Sequence, residues 1–114
     1  MKMITKKIEK QLERYPLYSQ EGKGDDAKVL IKYFTPWTSG TWYVLEGNKQ
    51  DDGDYDFFGI CTLGQYWEYG YFTLSQLEAI RGAWGLKVER DLYTEGYTVG
   101  ELKRIGEIDE NIGA

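Results

Sequence analysis

The chain has 114 residues, an aromatic fraction of 16% and a formal net charge of −5. It has no histidine and one cysteine, Cys61, which excludes an intramolecular disulfide, a Cys/His zinc site and Ser-His-Asp or Cys-His catalysis. No apolar run has the length of a membrane span or a signal-peptide core, so we expect a cytoplasmic protein without membrane contact. The length predicts one domain over residues 1–114.

The charge is unevenly distributed along the chain. Residues 1–14 contain five basic and two acidic side chains, a net charge of +3, which leaves −8 for the remaining residues. An acidic body binds phosphates poorly, because nucleic-acid affinity comes largely from lysine and arginine. It is better suited to a basic protein surface, so we expect a protein partner and not a nucleic acid.

Residues 1–15 predict an N-terminal amphipathic helix. Thr5 is a suitable N-cap, three apolar residues recur every four positions after it, and Pro16 ends the helix. Its lysines form the only candidate phosphate-binding face of the chain, although ordinary helix patterning favours a solvated face. The residues concerned are the apolar Ile4, Ile8 and Leu12 and the basic Lys6, Lys7 and Lys10.

Residues 28–92 predict an antiparallel sheet of about four to five strands, because the connecting turns are too short for parallel crossovers. In the first strand, residues 28–34, Val29, Ile31 and Tyr33 are expected on one face. Residues 55–63 show little polar alternation and are expected inside the sheet. The other strands are predicted at 41–46, 69–72 and 87–92, and the turn between the third and fourth strands at 64–68.

Two capping boxes predict short helices. Thr73 and Gln76 open the first, which should lie on the sheet and end at Gly82 in a left-handed conformation. Thr98 and Glu101 open the second, which should extend to about residue 105. Residues 106–114 are acidic, and we expect a frayed tail there. These elements together predict the α+β class.

The aspartates between residues 51 and 56 resemble a calcium loop. An EF-hand alignment on Gly53 places Gly59 where a bidentate glutamate is required, so a solvated hairpin tip is favoured and no metal or cofactor is expected. Acid–base catalysis would have Glu68, Glu89 and Asp91 as candidates, but such carboxylates more often form ion pairs. We therefore expect a protein that is not an enzyme.

Acidic residues interleaved with aromatic ones are the remaining constellation. Aromatic anchors surrounded by charge are typical of protein-binding surfaces. There are two plainer alternatives: the rings only cover the sheet, and the acidic residues form an ordinary solvated surface. A stacking platform for single-stranded nucleic acid could use Trp42, Tyr43, Trp67 and Tyr69, but no basic groove accompanies it. The predicted partner-binding residues are Asp51, Asp52, Asp54, Asp56, Trp67, Glu68, Glu89 and Asp91.

Six motifs occur in order along the chain: PLY at 16–18, KYFTP at 32–36, TWY at 41–43, FFG at 57–59, EYGYFTLSQLE at 68–78 and LKVERDL at 86–92. Over residues 12–102 the ordered set resembles a small bacterial family of unknown function found on plasmids, conjugative elements and phages. The resemblance implies a stand-alone α+β domain on mobile DNA. The family offers no catalytic residues to transfer.

Some small proteins from such genetic settings are anti-CRISPR inhibitors. By that association, our leading hypothesis is a non-enzymatic inhibitor of a basic host defence protein such as a Cas nuclease, with an acidic, aromatic surface that competes with nucleic acid. The alternative is a plasmid or conjugation accessory protein that binds single-stranded DNA through the basic N-terminal helix. The sequence specifies no oligomeric state.

Overall fold

The computed structural model describes residues 2–94 and 96–112, which form three α-helices and one five-stranded antiparallel sheet. This confirms the predicted α+β class. The elements in chain order are α1 (Lys6–Arg14), β1 (Ile31–Phe34), β2 (Thr41–Lys49), β3 (Tyr55–Thr62), β4 (Trp67–Thr73), α2 (Leu74–Ala79), β5 (Glu89–Arg90) and α3 (Val99–Arg104), with 3₁₀ turns at Gly24–Asp26 and Ala83–Gly85. The strand order across the sheet is β4-β3-β2-β1-β5, with β2 in the centre.

One face of the sheet, which we call the α1/α2 face, carries the larger core. Ile8 and Leu12 of α1 and Leu74 and Leu77 of α2 are buried against it. Thr5 begins α1 as predicted, because its hydroxyl accepts the Ile8 N–H at 3.2 Å. The sheet residues beneath the two helices include Ile31, Tyr33, Trp42, Val44, Phe57 and Phe72.

The opposite face, which we call the α3 face, carries a second core. Val99 and Leu102 of α3 pack with Ile108 against the sheet. The residues that they cover are Ala27, Val29, Tyr43, Leu45 and Ile60, with Trp67 and Ile112 at the margin. This core lies over β2 and over Ile60 of β3.

Both predicted capping boxes are present. The Thr73 hydroxyl accepts the Gln76 N–H at 3.1 Å and the Gln76 side chain accepts the Thr73 N–H at 2.9 Å, and Thr98 and Glu101 bond in the same way. The predicted end of α2 is wrong. The helix ends at Ala79, and Gly82 has an extended backbone. Gly82 is needed for space, since a Cβ there would lie 2.4 Å from the Trp37 ring.

The first strand is shorter than predicted, and the prediction of which residues share a face is partly wrong. The Val29 N–H donates to the Tyr97 carbonyl at 2.8 Å instead of joining the sheet, so Val29 packs in the α3-face core and not with Ile31 and Tyr33. Conversely, β2 and β4 are longer than predicted, and Trp67 and Glu68 belong to β4 and not to the turn. Only two residues of the predicted 87–92 strand, Glu89 and Arg90, form β5.

The segment predicted as a frayed tail is packed over its described residues, 106–112. Ile108 is buried, and the Glu107 N–H donates to the Leu102 carbonyl at 2.9 Å. The segment therefore continues the α3-face core, in which Ile108 is buried and Ile112 packs at the margin. Residues 113 and 114 of that prediction lie outside the described residues.

A register shift in β2 shapes the α3 face. The pairing with β3 shifts between Val44 and Glu46, so that Val44 lies opposite Gly59 and Glu46 lies opposite Phe58. Gly59 permits this bulge, since a Cβ at this position would lie 1.9 Å from the Tyr43 carbonyl oxygen. The shift places the Glu46 carboxylate on the same face as the Phe58 ring.

Candidate functional site

The predicted acidic loop is a hairpin tip, and three of its four aspartates have local partners. Asp52 accepts the Asp54 N–H at 2.9 Å, and Asp56 accepts the Gln50 amide at 2.6 Å. Asp54 accepts the Ser75 hydroxyl at 2.6 Å and the Ser75 N–H at 3.0 Å, which ties the tip to the start of α2. These bonds, that from the Ser75 hydroxyl above all, lower the pKa of the Asp54 carboxyl.

The other four predicted residues lie at opposite edges of the sheet. Trp67 is half-buried at the start of β4 and stacks on Tyr43 with a centroid separation of 5.8 Å, and Glu68 is exposed beside it. Glu89 and Asp91 lie at the β5 edge, where Asp91 contacts Lys32 at 3.7 Å. Four strand spacings separate Trp67 from Glu89, about 19 Å.

The eight predicted residues therefore occupy three separate places, since the length of β3, about 25 Å, also separates the hairpin tip from Trp67. The candidate stacking platform is not assembled either. Trp42 and Tyr43 are both buried and, as neighbours in β2, point to opposite faces of the sheet. Of the four platform rings, Tyr69 is exposed and Trp67 is half-buried.

A different set of rings lies together on the α3 face. β3 and β4 place Phe58 opposite Tyr71 and the covered Ile60 opposite Tyr69, and the Phe58, Tyr69 and Tyr71 rings lie outside the α3-face core. The Phe58 and Tyr69 rings are nearly parallel at 6.0 Å, and the Tyr71 ring is tilted at 4.9 Å from Phe58. Tyr71 is 62% exposed. We call these three rings and the neighbouring Tyr18 the tyrosine surface.

Tyr18 joins this surface from a loop that the sheet holds in place. Its backbone has φ +75°, a left-handed conformation that is uncommon for a tyrosine. The Glu46 carboxylate accepts the Tyr18 N–H at 2.7 Å and the Gln20 N–H at 2.8 Å, and Glu46 is only 3% exposed. The loop is thereby fixed against β2, and Tyr18 is held beside Tyr71.

The Gln20 side chain is the second anchor of this loop. It is buried, donates to the carbonyl oxygens of Lys28 and Leu45 at 2.8 and 2.7 Å, and accepts the Lys28 N–H at 2.7 Å. Every polar atom of this side chain is thus bonded to backbone, which fixes both ends of the loop. Such a network holds the chain beside the tyrosine surface in one conformation.

Two carboxylates lie close enough to Tyr71 to act on its hydroxyl group. The hydrogen bond with the Tyr18 side chain raises the pKa of Tyr71, and partial burial and the charges of Glu46 and Glu21 raise it further. Sequence reasoning named Tyr69 but missed Tyr18, Phe58, Tyr71 and Glu46 as members of one surface. The alternation Phe58–Ile60 and Tyr69–Tyr71 was the available signal, since residues two apart share a face of a strand.

Burial raises the pKa of the half-buried Cys61 thiol, as expected of an unreactive cysteine. Among the described residues, no group of three or more carboxylate or thiol side chains could hold a metal ion. None of the helices within residues 2–94 and 96–112 is long and apolar enough to span a membrane.

The fold and this surface define an α+β domain with exposed aromatic rings on one face of the sheet, beside a loop that a buried glutamate anchors. The chain belongs to the DUF2958 family, described as a protein of unknown function, whose family model matches residues 3–103. This confirms the resemblance to a family of unknown function. Neither the curated proteins nor the solved structures gave a match.

Proposed function

We propose that this protein is a non-enzymatic inhibitor, encoded on a mobile element, that acts in the cytoplasm by binding a basic host defence protein. A Cas nuclease is the candidate target, which makes the protein a candidate anti-CRISPR. Its acidic, aromatic exterior would compete with guide or target nucleic acid for the basic surface of the nuclease. No cofactor takes part.

The observation that carries this proposal is the separation of the basic helix from the exposed rings. Ile8 and Leu12 of α1 pack on the α1/α2 face, whereas the tyrosine surface lies on the α3 face. A binder of single-stranded nucleic acid needs stacking rings within a basic groove. Here the accessible rings have Glu21 and Glu46 beside them, which suits a basic protein better than a phosphate backbone.

A charge-reversal series in a cleavage assay with guide-loaded Cas nuclease tests the proposal. The predicted acids that are least tied into the fold are Asp51 and Glu68, both exposed, together with Glu89 at the β5 edge. Reversing them to lysine should slow association and weaken inhibition several-fold at low salt, with little change at high salt, because rim charges act mainly through steering. Glu13→Lys, which changes an exposed residue of α1, is the matched control.

Two results would contradict the proposal. Wild-type protein that leaves cleavage unchanged at saturating concentration would exclude this target. Triply reversed protein that inhibits as well as wild type at both salt concentrations would exclude electrostatic competition. A pull-down from the host with mass spectrometry then identifies the defence protein that is bound.

The second candidate function is binding of single-stranded DNA by α1, which is favoured by one observation: Lys6, Lys7 and Lys10 are all exposed. A gel shift with a labelled oligonucleotide separates the two functions. Binding that is lost when the three lysines are neutralised would support the DNA-binding function. Wild-type protein that gives no shift at low salt would exclude it, because phosphate binding is strongest there.

A further inference from the structure

A cleft of about 340 Å³ lies beside the tyrosine surface. The loop after Tyr18 forms one wall, with Gln20, Glu21 and Gly22, and the strands form the other, with Leu45, Glu46, Phe58 and Tyr69. The volume is that of a small-ligand pocket. Its walls combine aromatic rings with two carboxylates.

The Glu46 carboxylate is the central electrostatic feature of the cleft. Both of its oxygens accept backbone N–H groups, and no ion pair of Glu46 is found within residues 2–94 and 96–112. Backbone N–H donors carry no net charge, so these hydrogen bonds do not neutralise a carboxylate. A buried carboxylate of this kind attracts a cation more strongly than an exposed one, since solvent screens it less.

The cationic side chain that acts on Tyr69 already has a partner. Lys103, whose charge reaches Tyr69, is bound to Asp25 at 2.8 Å. The chain also stacks a cation on a ring elsewhere, since Lys32 lies over the Tyr43 ring at 5.5 Å. The Phe58, Tyr69 and Tyr71 rings have no such cation over them among the described residues.

We propose that the cleft receives an arginine side chain of the partner protein, with its guanidinium against the Phe58 and Tyr69 rings that line the cleft and its charge toward Glu46 and Glu21. Tyr71, whose ring lies 4.9 Å from Phe58, borders this position. Arginine fits better than lysine because its planar, weakly hydrated head group stacks on aromatic faces. This assignment rests on the proposed function in one respect, namely that the partner is a basic protein.

The experiment titrates the ¹⁵N-labelled protein with two blocked peptides, acetyl-Gly-Arg-Gly-amide and the same peptide with citrulline. Citrulline keeps the shape of arginine and removes the charge. We expect amide shifts at residues 18–22, 58 and 69–71 with the arginine peptide, and a dissociation constant about tenfold higher for the citrulline peptide, in line with a partly desolvated cation–π contact.

Three variants localise the binding. Tyr71→Ala and Glu21→Gln change exposed residues, and each should lower the affinity for the arginine peptide several-fold. Tyr93→Ala removes an exposed ring outside the cleft and should leave the affinity unchanged. Because Glu21 is on the surface, its variant keeps the test valid if Tyr71→Ala perturbs β4.

Equal affinities for the two peptides, or shifts centred on Tyr93 and not on Tyr71, would overturn the assignment. The proposed function fails separately. A protein that binds the arginine peptide in the cleft but never inhibits a defence protein would retain the cleft assignment and lose the inhibitor function. A protein that inhibits but ignores both peptides would do the reverse.

Discussion

The two faces of the sheet differ in how completely they are covered. On the α1/α2 face, two helices bury the aromatic residues, and Phe57 is fully inaccessible. On the α3 face, α3 and Ile108 cover β2 and part of β3, and the rings of Phe58, Tyr69 and Tyr71 lie beyond them. Both faces therefore carry a core, but among the described residues only the α3 face leaves a group of aromatic rings in contact with solvent.

The largest expected effect compares two adjacent phenylalanines of β3. Phe57→Ala removes a fully buried ring and should lower the free energy of unfolding by about 3–5 kcal/mol. Phe58→Ala removes a half-buried ring of the tyrosine surface and should cost less than half as much, because less apolar area leaves the solvent on folding. Urea unfolding of both variants measures the difference, and equal losses would refute the distinction between the faces.

The next effect concerns the glutamate under the tyrosine surface. Glu46→Ala leaves the N–H groups of Tyr18 and Gln20 without their acceptor and should cost about 2–4 kcal/mol. The loop should then detach, with faster amide exchange at residues 18–22. Glu21→Ala, one position beyond Gln20 and exposed, is the control and should cost almost nothing. An intact loop in Glu46→Ala would show that Glu46 does not anchor it.

The helix caps and the hydrogen bonds of Glu46 differ in how far the sequence predicts them. Local chemistry predicts the caps at Thr5, Thr73 and Thr98, because each bond joins residues three apart. The Glu46 bonds join residues 26 and 28 positions apart, and their existence depends on a register shift that no local pattern encodes. Glu46 therefore looks like an ordinary strand-end charge in the sequence.

The presence of exposed rings was predicted, but not which rings they are. Composition indicated exposed rings beside acids, and the structure has them. The pattern could not say which rings, since Trp67 leans onto Tyr43 while Tyr71 stays exposed. Val29 shows the same limit, because its backbone partner is Tyr97, 68 positions away, and that bond decides its face. Long-range pairing settles what alternation leaves open.

The caps of α2 and α3 allow the helices on the two faces of the sheet to be compared. Each cap should contribute about 1 kcal/mol to the free energy of unfolding. Thr73→Ala should weaken α2 on one face and Thr98→Ala should weaken α3 on the other, because each variant loses its hydroxyl acceptor for the N3 backbone N–H. The serine variants keep that hydroxyl and serve as controls. Thermal unfolding of the four proteins measures the shifts. Alanine variants as stable as the serine variants would mean that the caps contribute nothing.

The smallest effect is a pH dependence at the hairpin that is tied to α2. The pKa of Asp54 is lowered from its ordinary value of 3.8, so its bonds to Ser75 stabilise the fold above that value and are lost as the pH falls through the lowered pKa. The Tm of wild type should therefore fall more steeply below about pH 4 than that of Asp54→Asn. Parallel curves would assign the acid sensitivity to other groups.

Photochemically induced nuclear polarisation of the tyrosine rings tests the central claim most directly, because it detects only rings that a dissolved flavin can reach. The account predicts signals from Tyr18, Tyr69 and Tyr71 and none from Tyr33 and Tyr43. The first three signals should be weakened by the arginine peptide, and about tenfold more of the citrulline peptide should be needed for the same effect. Silent Tyr69 and Tyr71 rings, or signals that neither peptide alters, would contradict an open surface that recognises a cation.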